Sequence, residues 1–232
     1  MTSACNQLIE RLPRPDRQRL LAQCETVALA QSAVLCEQGR RSSHAYFPTE
    51  GFISLVTETP GHPGLEVGLV GPEGMLGAEL ALGVPLAPWG ALVLGPGTAL
   101  RIGRMALRRE LARSKAVQGA LHRHLYVLMT QLAATAACVR FHLIGPRLAR
   151  WLLTSQDRAQ TDHFHITHEM LSSMLGVRRV GITMAAGDLQ RSGLITYHRG
   201  ELTVLDRSGL EATACPCYGQ DQRRFDEVMH RD

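Results

Sequence analysis

The 232-residue sequence has no apolar run of membrane-spanning length, and its opening stretch, MTSACNQLIERLPRPDRQRLL, lacks the apolar centre of a signal peptide. A cytoplasmic chain with no membrane partner is therefore expected. There is no nucleophile elbow, Walker loop or dinucleotide fingerprint. Gly71, Gly74 and Gly77 do not sit between a strand and a clear helix, so no cofactor cradle is expected there. These absences exclude the common enzyme classes and leave no cofactor to predict. The cysteines are scattered as Cys5, Cys24, Cys36, Cys138, Cys215 and Cys217, which without an export signal points to reduced thiols. Charge of one sign is also modest: a formal +4 admits an anionic partner without demanding one.

Glycine is abundant but uneven. Thirteen of the 22 glycines fall between Gly39 and Gly103, where short apolar stretches (FISLVTET, LEVGLVG, GALVLG, TALRIG) alternate with turns. That punctuation predicts a compact antiparallel β-domain, with GPEGMLGAELALG as its one long connector. A short helix over residues 7–23 precedes it.

After Met105 the period changes to helical. Leu121, Leu125, Leu128, Leu132, Thr135 and Val139 recur at alternating steps of four and three, the a/d pattern of a helix pair. A dimer seam on Leu121, Leu125, Leu128 and Leu132 is one reading; a helix buried against its own β-domain is the other. Gly145-Pro146 ends this helix and opens the next.

From there the pattern is helix, helix, helix, hairpin. PRLARWLLTSQDR places Leu148, Trp151 and Leu152 on one face. FHITHEMLSSML opens with Thr167 as N-cap and Glu169 in the first turn, and Gly176 supplies the left-handed residue that ends a helix. VRRVGITMAAGDLQRSG restarts at once with Arg178 and Arg179 at its leading end. LITYHRGELTVLD is a hairpin around Arg199-Gly200. Two helices separated by a glycine turn, the second led by arginines, form a helix-turn-helix, and the trailing hairpin is its wing. Arginine at that end can fork onto guanine or hold a phosphate. Between Leu143 and Arg199 seven arginines face four acids, a sign of field that suits DNA.

With these residues in view, the chain resembles the Crp/Fnr superfamily of bacterial transcription regulators. The local match is THEMLSSMLGVRR through LQRSGLI, in which Leu171, Leu175, Gly176, Arg179, Ile182, Thr183, Leu189, Gly193, Leu194 and Ile195 fit the family pattern. The resemblance implies an α+β chain. An N-terminal, jelly-roll-like antiparallel β-roll with its leading helix spans residues 1–112, a dimerisation helix 113–144, a winged helix-turn-helix 145–215 and a C-terminal tail 216–232. It also implies a homodimer on double-stranded DNA, with RNA polymerase as a further candidate partner. Two positions depart from the pattern: Val180 replaces the usual glutamate and Met184 an arginine. Arg179 is then the one base reader carried over. The candidate DNA-binding set is Thr167, Arg178, Arg179, Val180, Thr183, Met184 and Arg199.

The effector region departs further. Cyclic-AMP-binding members use a glutamate for the ribose and an arginine with a serine or threonine for the phosphate. Here Gly77 is followed by Ala78, Glu79 stands one place off, and Trp89 and Gly90 occupy the phosphate positions. A buried phosphate without a cation is costly, so a degenerate pocket and no response to cyclic AMP are expected. Thr135 stands near the family's adenine contact, although a polar seam position explains it better. Cys5, Cys24, Cys36 and Cys138 are too widely spread for the iron–sulfur cluster of some relatives. Cys215-Pro216-Cys217 leaves an alternative open, a redox or haem sensor. His163, His165 and His168 lack the further ligands zinc prefers, so no metal site is expected and a surface or phosphate-facing role is assigned to them.

Overall fold

The computed structural model describes residues 5–229. The first and last residues of the two outermost expected segments, 1–4 and 230–232, lie outside the described residues. Among the described residues, no helix is long and apolar enough to cross a membrane.

The expected leading helix is two, α1 (Gln7–Glu10) and α2 (Arg14–Leu21). Pro13 lies between them and cannot donate the backbone bond that would continue α1. Asn6 fixes α1 in place: its Oδ1 accepts from Leu8 and Ile9, while its Nδ2 donates to the carbonyls of Pro48 and Gly74 at 3.0 and 2.8 Å.

The β-roll follows as β1 (Glu25–Leu29), β2 (Val34–Cys36), β3 (His44–Thr57), β4 (Leu65–Val70) and β5 (Gly90–Gly103). All pairings are antiparallel, in the order β1-β5-β3-β4, with β2 also on β5. GALVLG and TALRIG, which read as two strands, are one strand bent at Gly95-Pro96-Gly97. The bend brings β5 so close to β3 that a Cβ on Gly95 would lie 2.3 Å from the Phe52 ring, and one on Gly97 2.3 Å from the Glu50 carbonyl. The glycines read as a turn instead admit this close crossing, and bulges in β3 around Glu50 and Phe52 absorb it. The 71–83 connector holds a 3₁₀ turn, Ala78–Leu82, between left-handed Gly77 and Gly83.

Helix α3 (Arg104–Arg113) leads into α4 (Lys115–Phe141), which Ser114 caps by accepting from Val117. At 1.5 Å per residue α4 is ~40 Å long, enough to run from the β-roll to the C-terminal domain. Its break comes at His142-Leu143, before the expected Gly145-Pro146, and α5 (Ile144–Ala159) starts there. The C-terminal domain continues with β6 (His163–His165), α6 (His168–Leu175), α7 (Arg179–Arg191), β7 (Ile195–His198), β8 (Glu201–Val204) and α8 (Arg207–Thr213). The wing is three strands, β6-β8-β7, rather than the expected hairpin alone. The expected tail folds as α9 (Cys217–Met229), with Tyr218 in the C-terminal core and Met229 in the β-roll core.

Leu148, Trp151 and Leu152 all turn inward as their spacing predicts. Phe52, Leu69 and Leu94 of the β-roll join the same core, so the two domains share apolar surface. Each such side chain contributes roughly 1.5–3 kcal/mol of burial.

Candidate nucleic-acid interface and effector region

The helix-turn-helix is built by local chemistry. Thr167 caps α6 by accepting from the Met170 N–H at 3.1 Å, so its hydroxyl is engaged in the fold. Gly176 ends α6 at φ 63°, with its N–H on the carbonyls of Ser172 and Ser173. Val177 is half-buried. Arg178 caps α7 in extended conformation and Arg179 begins it. Ile182, Ala185, Ala186 and Leu189 face the core, so Arg179, Val180, Thr183 and Met184 share the opposite, solvent face. Val180 is 63% and Met184 66% exposed. Both large apolar side chains thus stand in solvent on the same face as Arg179. Arg199, exposed at φ 51°, and Gly200, at φ 89°, form the two-residue turn at the wing tip.

A contact missed in the sequence links wing and helix. His168 stacks flat on Tyr197, centroids 4.5 Å apart, and its Nδ1 lies 3.1 Å from Thr183 Oγ1. The Tyr197 hydroxyl donates to the Ile166 carbonyl at 2.8 Å. Burial and the Arg179 charge lower the His168 pKa, favouring the neutral ring. The three histidines therefore do not form one group. His163 and His165 pair instead with the Glu201 carboxylate on the exposed wing, at 2.8 and 2.6 Å.

In the effector region Ala78 is buried in the β-roll core and Trp89 is packed half-buried against it. Gly77 and Glu79 line a cleft of about 80 Å³, small beside the ~300–1,000 Å³ usual for ligand sites. The Glu79 carboxylate accepts from the Ser42 hydroxyl at 2.5 Å, and burial raises its pKa. Arg40 and Arg41 at the rim are both exposed, and Arg40 faces Glu37 at 3.5 Å. Trp89 and Gly90 do not line this cleft. Nor does Thr135, which lines a separate cavity of about 480 Å³ near Glu73, Arg150, Arg158 and Asp221. The structure thus does not bring the six expected pocket residues together.

The four expected seam residues, by contrast, all lie on the β-roll core of their own chain. Leu121 and Leu128 are each 3% exposed within the β-roll core of their own chain, and Leu125 and Leu132 pack half-buried on that core. Tyr126, Met129, Ala133, Ala136 and Arg140 form the row left facing out.

At the junction between domains, buried Glu66 of β4 accepts from Ser54 Oγ at 2.6 Å and from Trp151 Nε1 of α5 at 2.8 Å. Burial pushes its carboxyl up to about 7, against those hydrogen bonds and the charges of Arg158 and Arg150. The fold therefore favours the protonated acid. That stabilisation is complete below the ordinary value of 4.5 and is lost as pH rises through about 7. The melting temperature of the wild type is expected to fall relative to Glu66→Gln as pH rises from about 5 to 8. A difference independent of pH would show that Glu66 titrates normally.

A second missed grouping lies where α4 ends. Cys138, Cys215 and Cys217 are buried on one another, with His142 beside them, their ligand-type atoms all within 4.8 Å. The sequence reading expected no metal ligands and set Cys138 apart from the Cys-Pro-Cys pair. The fold joins them across 77 residues.

Residues 146–213 match the family model of the Crp-like helix-turn-helix domain. No curated protein matches the sequence. Among solved structures, FixK2 from Bradyrhizobium japonicum is similar with a TM-score of 0.70 at 12% identity, over 83% of this chain and 98% of that one. A putative transcriptional regulator of the Crp/Fnr family from Eubacterium rectale gives 0.67 at 16%, over 89% and 97%. TTHA1359, a Crp/Fnr-family regulator from Thermus thermophilus, gives 0.64 at 22%, over 82% and 98%. Residues 146–213 are thus a Crp-like helix-turn-helix domain, carried on the fold of the Crp/Fnr transcription regulators.

Proposed function

We propose that the protein is a homodimeric, sequence-specific DNA-binding regulator of the Crp/Fnr type, not an enzyme, and that it does not respond to cyclic AMP. The observation that carries this is the solvent face of α7, where Arg179, Val180, Thr183 and Met184 stand together on a helix whose other side is fully packed. Arg179 can fork onto a guanine, and Val180 or Met184 can meet a thymine methyl, which fits an operator unlike one read by glutamate and a second arginine. Arg178 and the wing-tip Arg199 suit phosphates. Selection of bound sequences from random DNA tests the reading. A pseudo-palindrome is expected, and no enrichment over repeated rounds would end it. RNA polymerase remains a further partner for such a regulator.

The pairing surface we assign is the outward row of α4, from Tyr126 and Met129 through Ala133 and Ala136. It repeats at the same alternating steps as the leucine row, one residue later.

Loss of the nucleotide response rests on the cleft. Its glutamate is engaged by Ser42, and its arginines stand at the rim rather than buried where a cyclic phosphate would need them. Calorimetry with cyclic AMP and cyclic GMP is expected to show no binding at physiological concentration; micromolar binding of either would overturn this.

The buried thiols favour a second reading, a redox or haem sensor acting through Cys215 and Cys217. An absorption spectrum with a Soret band would support the haem form.

A further inference from the structure

Apart from the two large cores, a third cluster has Cys138, Cys215 and Cys217 as its hydrophobic members. Three thiols add little burial to a joint whose apolar surface comes from Phe52, Leu69 and Leu94 packed on α5. The geometry of the thiols suits another bond. Cys138 lies in the last turn of α4, and His142, four residues on, is the extended residue that ends the helix. Cys215 and Cys217 approach from the loop that opens α9, separated by Pro216. The Cys215 N–H is anchored on the Pro146 carbonyl of α5 at 3.2 Å, and the Tyr218 N–H on the Cys215 carbonyl at 3.2 Å.

The Cys138 and Cys215 sulfurs are 3.5 Å apart, and Cys217 Sγ lies 3.6 Å from His142 Nδ1. Two thiolates at ~2.3 Å from a tetrahedral zinc ion lie ~3.8 Å apart, and a thiolate and an imidazole slightly less. Those edges fit one ion; the corners of a polynuclear iron–sulfur cage would be set wider. The charge also fits. Three thiolates, a neutral imidazole and a dication leave one negative charge, and two arginines of α5 stand beside it. Arg147 is buried, its guanidinium donates to the Leu175 carbonyl, and among the described residues it has no carboxylate partner. Arg150 pairs with Asp221 at 2.7 Å and also interacts with Cys138.

We propose that Cys138, His142, Cys215 and Cys217 form a tetrahedral Cys₃His zinc site that clamps the end of α4 to α5 and α9. Binding releases the thiol protons to solvent and involves no oxidation. The clamp spans the His142-Leu143 break, so it fixes the direction in which the C-terminal domain leaves the long helix. Through Arg147 it also reaches the Leu175 carbonyl at the end of α6. The site does not depend on the DNA-binding reading, and its test involves no DNA.

The full chain, purified reduced, is expected to carry one zinc per chain by elemental analysis. Cys217→Ser and His142→Ala are each expected to lose it. Cobalt added to the zinc-stripped wild type should give the intense ligand-field and thiolate charge-transfer bands of tetrahedral cobalt, shifted in His142→Cys, which restores four ligands. Removing zinc should raise hydrogen exchange at the α4–α5 break at least ~10-fold, as the two segments open independently. The cobalt titration uses the wild type, so it decides even where a variant fails to fold. Substoichiometric zinc with only weak octahedral cobalt bands would overturn the site. So would iron with labile sulfide, a Soret band, or a Cys138–Cys215 disulfide that persists under reduction. Unchanged exchange on zinc removal would overturn the clamp.

Discussion

Met129→Glu combined with Ala133→Glu is expected to yield a folded monomer. Met129 is 60% exposed and Ala133 is open to solvent on the face of α4 turned away from the β-roll. In a pair of two-fold-related helices each position meets its own copy or a near neighbour, so every substitution acts twice. Removing two buried methionines forfeits roughly 3–6 kcal/mol, and like charges brought across a seam add to that. Because 1.4 kcal/mol is tenfold in an equilibrium constant, dimer dissociation should strengthen by ~10²–10⁴-fold or more. Sedimentation equilibrium measures it, with an unchanged helical circular-dichroism signal as the control for folding. Leu128→Ala provides the contrast: it opens a cavity inside one chain and should cost roughly 2–5 kcal/mol of fold stability, while the outward row stays intact. A double glutamate variant that remained dimeric would move the pairing surface off this face of α4.

The leucine row illustrates what a single sequence can and cannot decide. Positions 121, 125, 128 and 132 and positions 122, 126, 129 and 133 have the same heptad spacing, because α4 is apolar on two sides. Periodicity identified a helix with a partner; it could not say which row the β-roll covers. The β-roll itself covers Leu121 and Leu128, the more apolar choice, and leaves the mixed row outward. The helix-turn-helix was legible for the opposite reason. Thr167 and Gly176 act through bonds within a few residues of themselves, so their meaning does not wait on tertiary structure, and they fix where the arginines at the start of α7 stand. His168 was ambiguous alone, since its role depends on Tyr197 and Thr183, which the fold delivers from the wing and from α7. The thiol cluster was least visible. Cys138 and His142 have helical ligand spacing, but only the return of the chain along α9 shows that Cys215 and Cys217 meet them.

Arg179→Ala and Arg178→Ala are expected to fail in different ways, although the residues are neighbours. In the proposed dimer, two-fold symmetry would put two copies of α7 into successive major grooves, with half-site centres ~34–36 Å apart. Arg179 is the first residue of α7 and shares its solvent face with Val180 and Thr183, so on the proposed reading it enters the groove with them. Losing a bidentate guanine contact costs roughly 1–3 kcal/mol per half-site. Over two half-sites that is roughly 30-fold to 10⁴-fold in operator affinity, with preference relaxed at one base position of each. Arg178 sits one residue outside the helix in extended backbone, φ −69° and ψ 143°, and is expected to hold a phosphate rather than read a base. Its loss should weaken binding to all sequences alike and lower the slope of log affinity against log salt by about one per half-site. Binding curves on the selected operator and on single-base variants, each at two salt concentrations, separate the two outcomes. If Arg179→Ala lowered affinity uniformly, with no base preference lost, it would be a phosphate clamp. Specificity would then rest on Val180, Thr183 and Met184, or on the shape of the DNA.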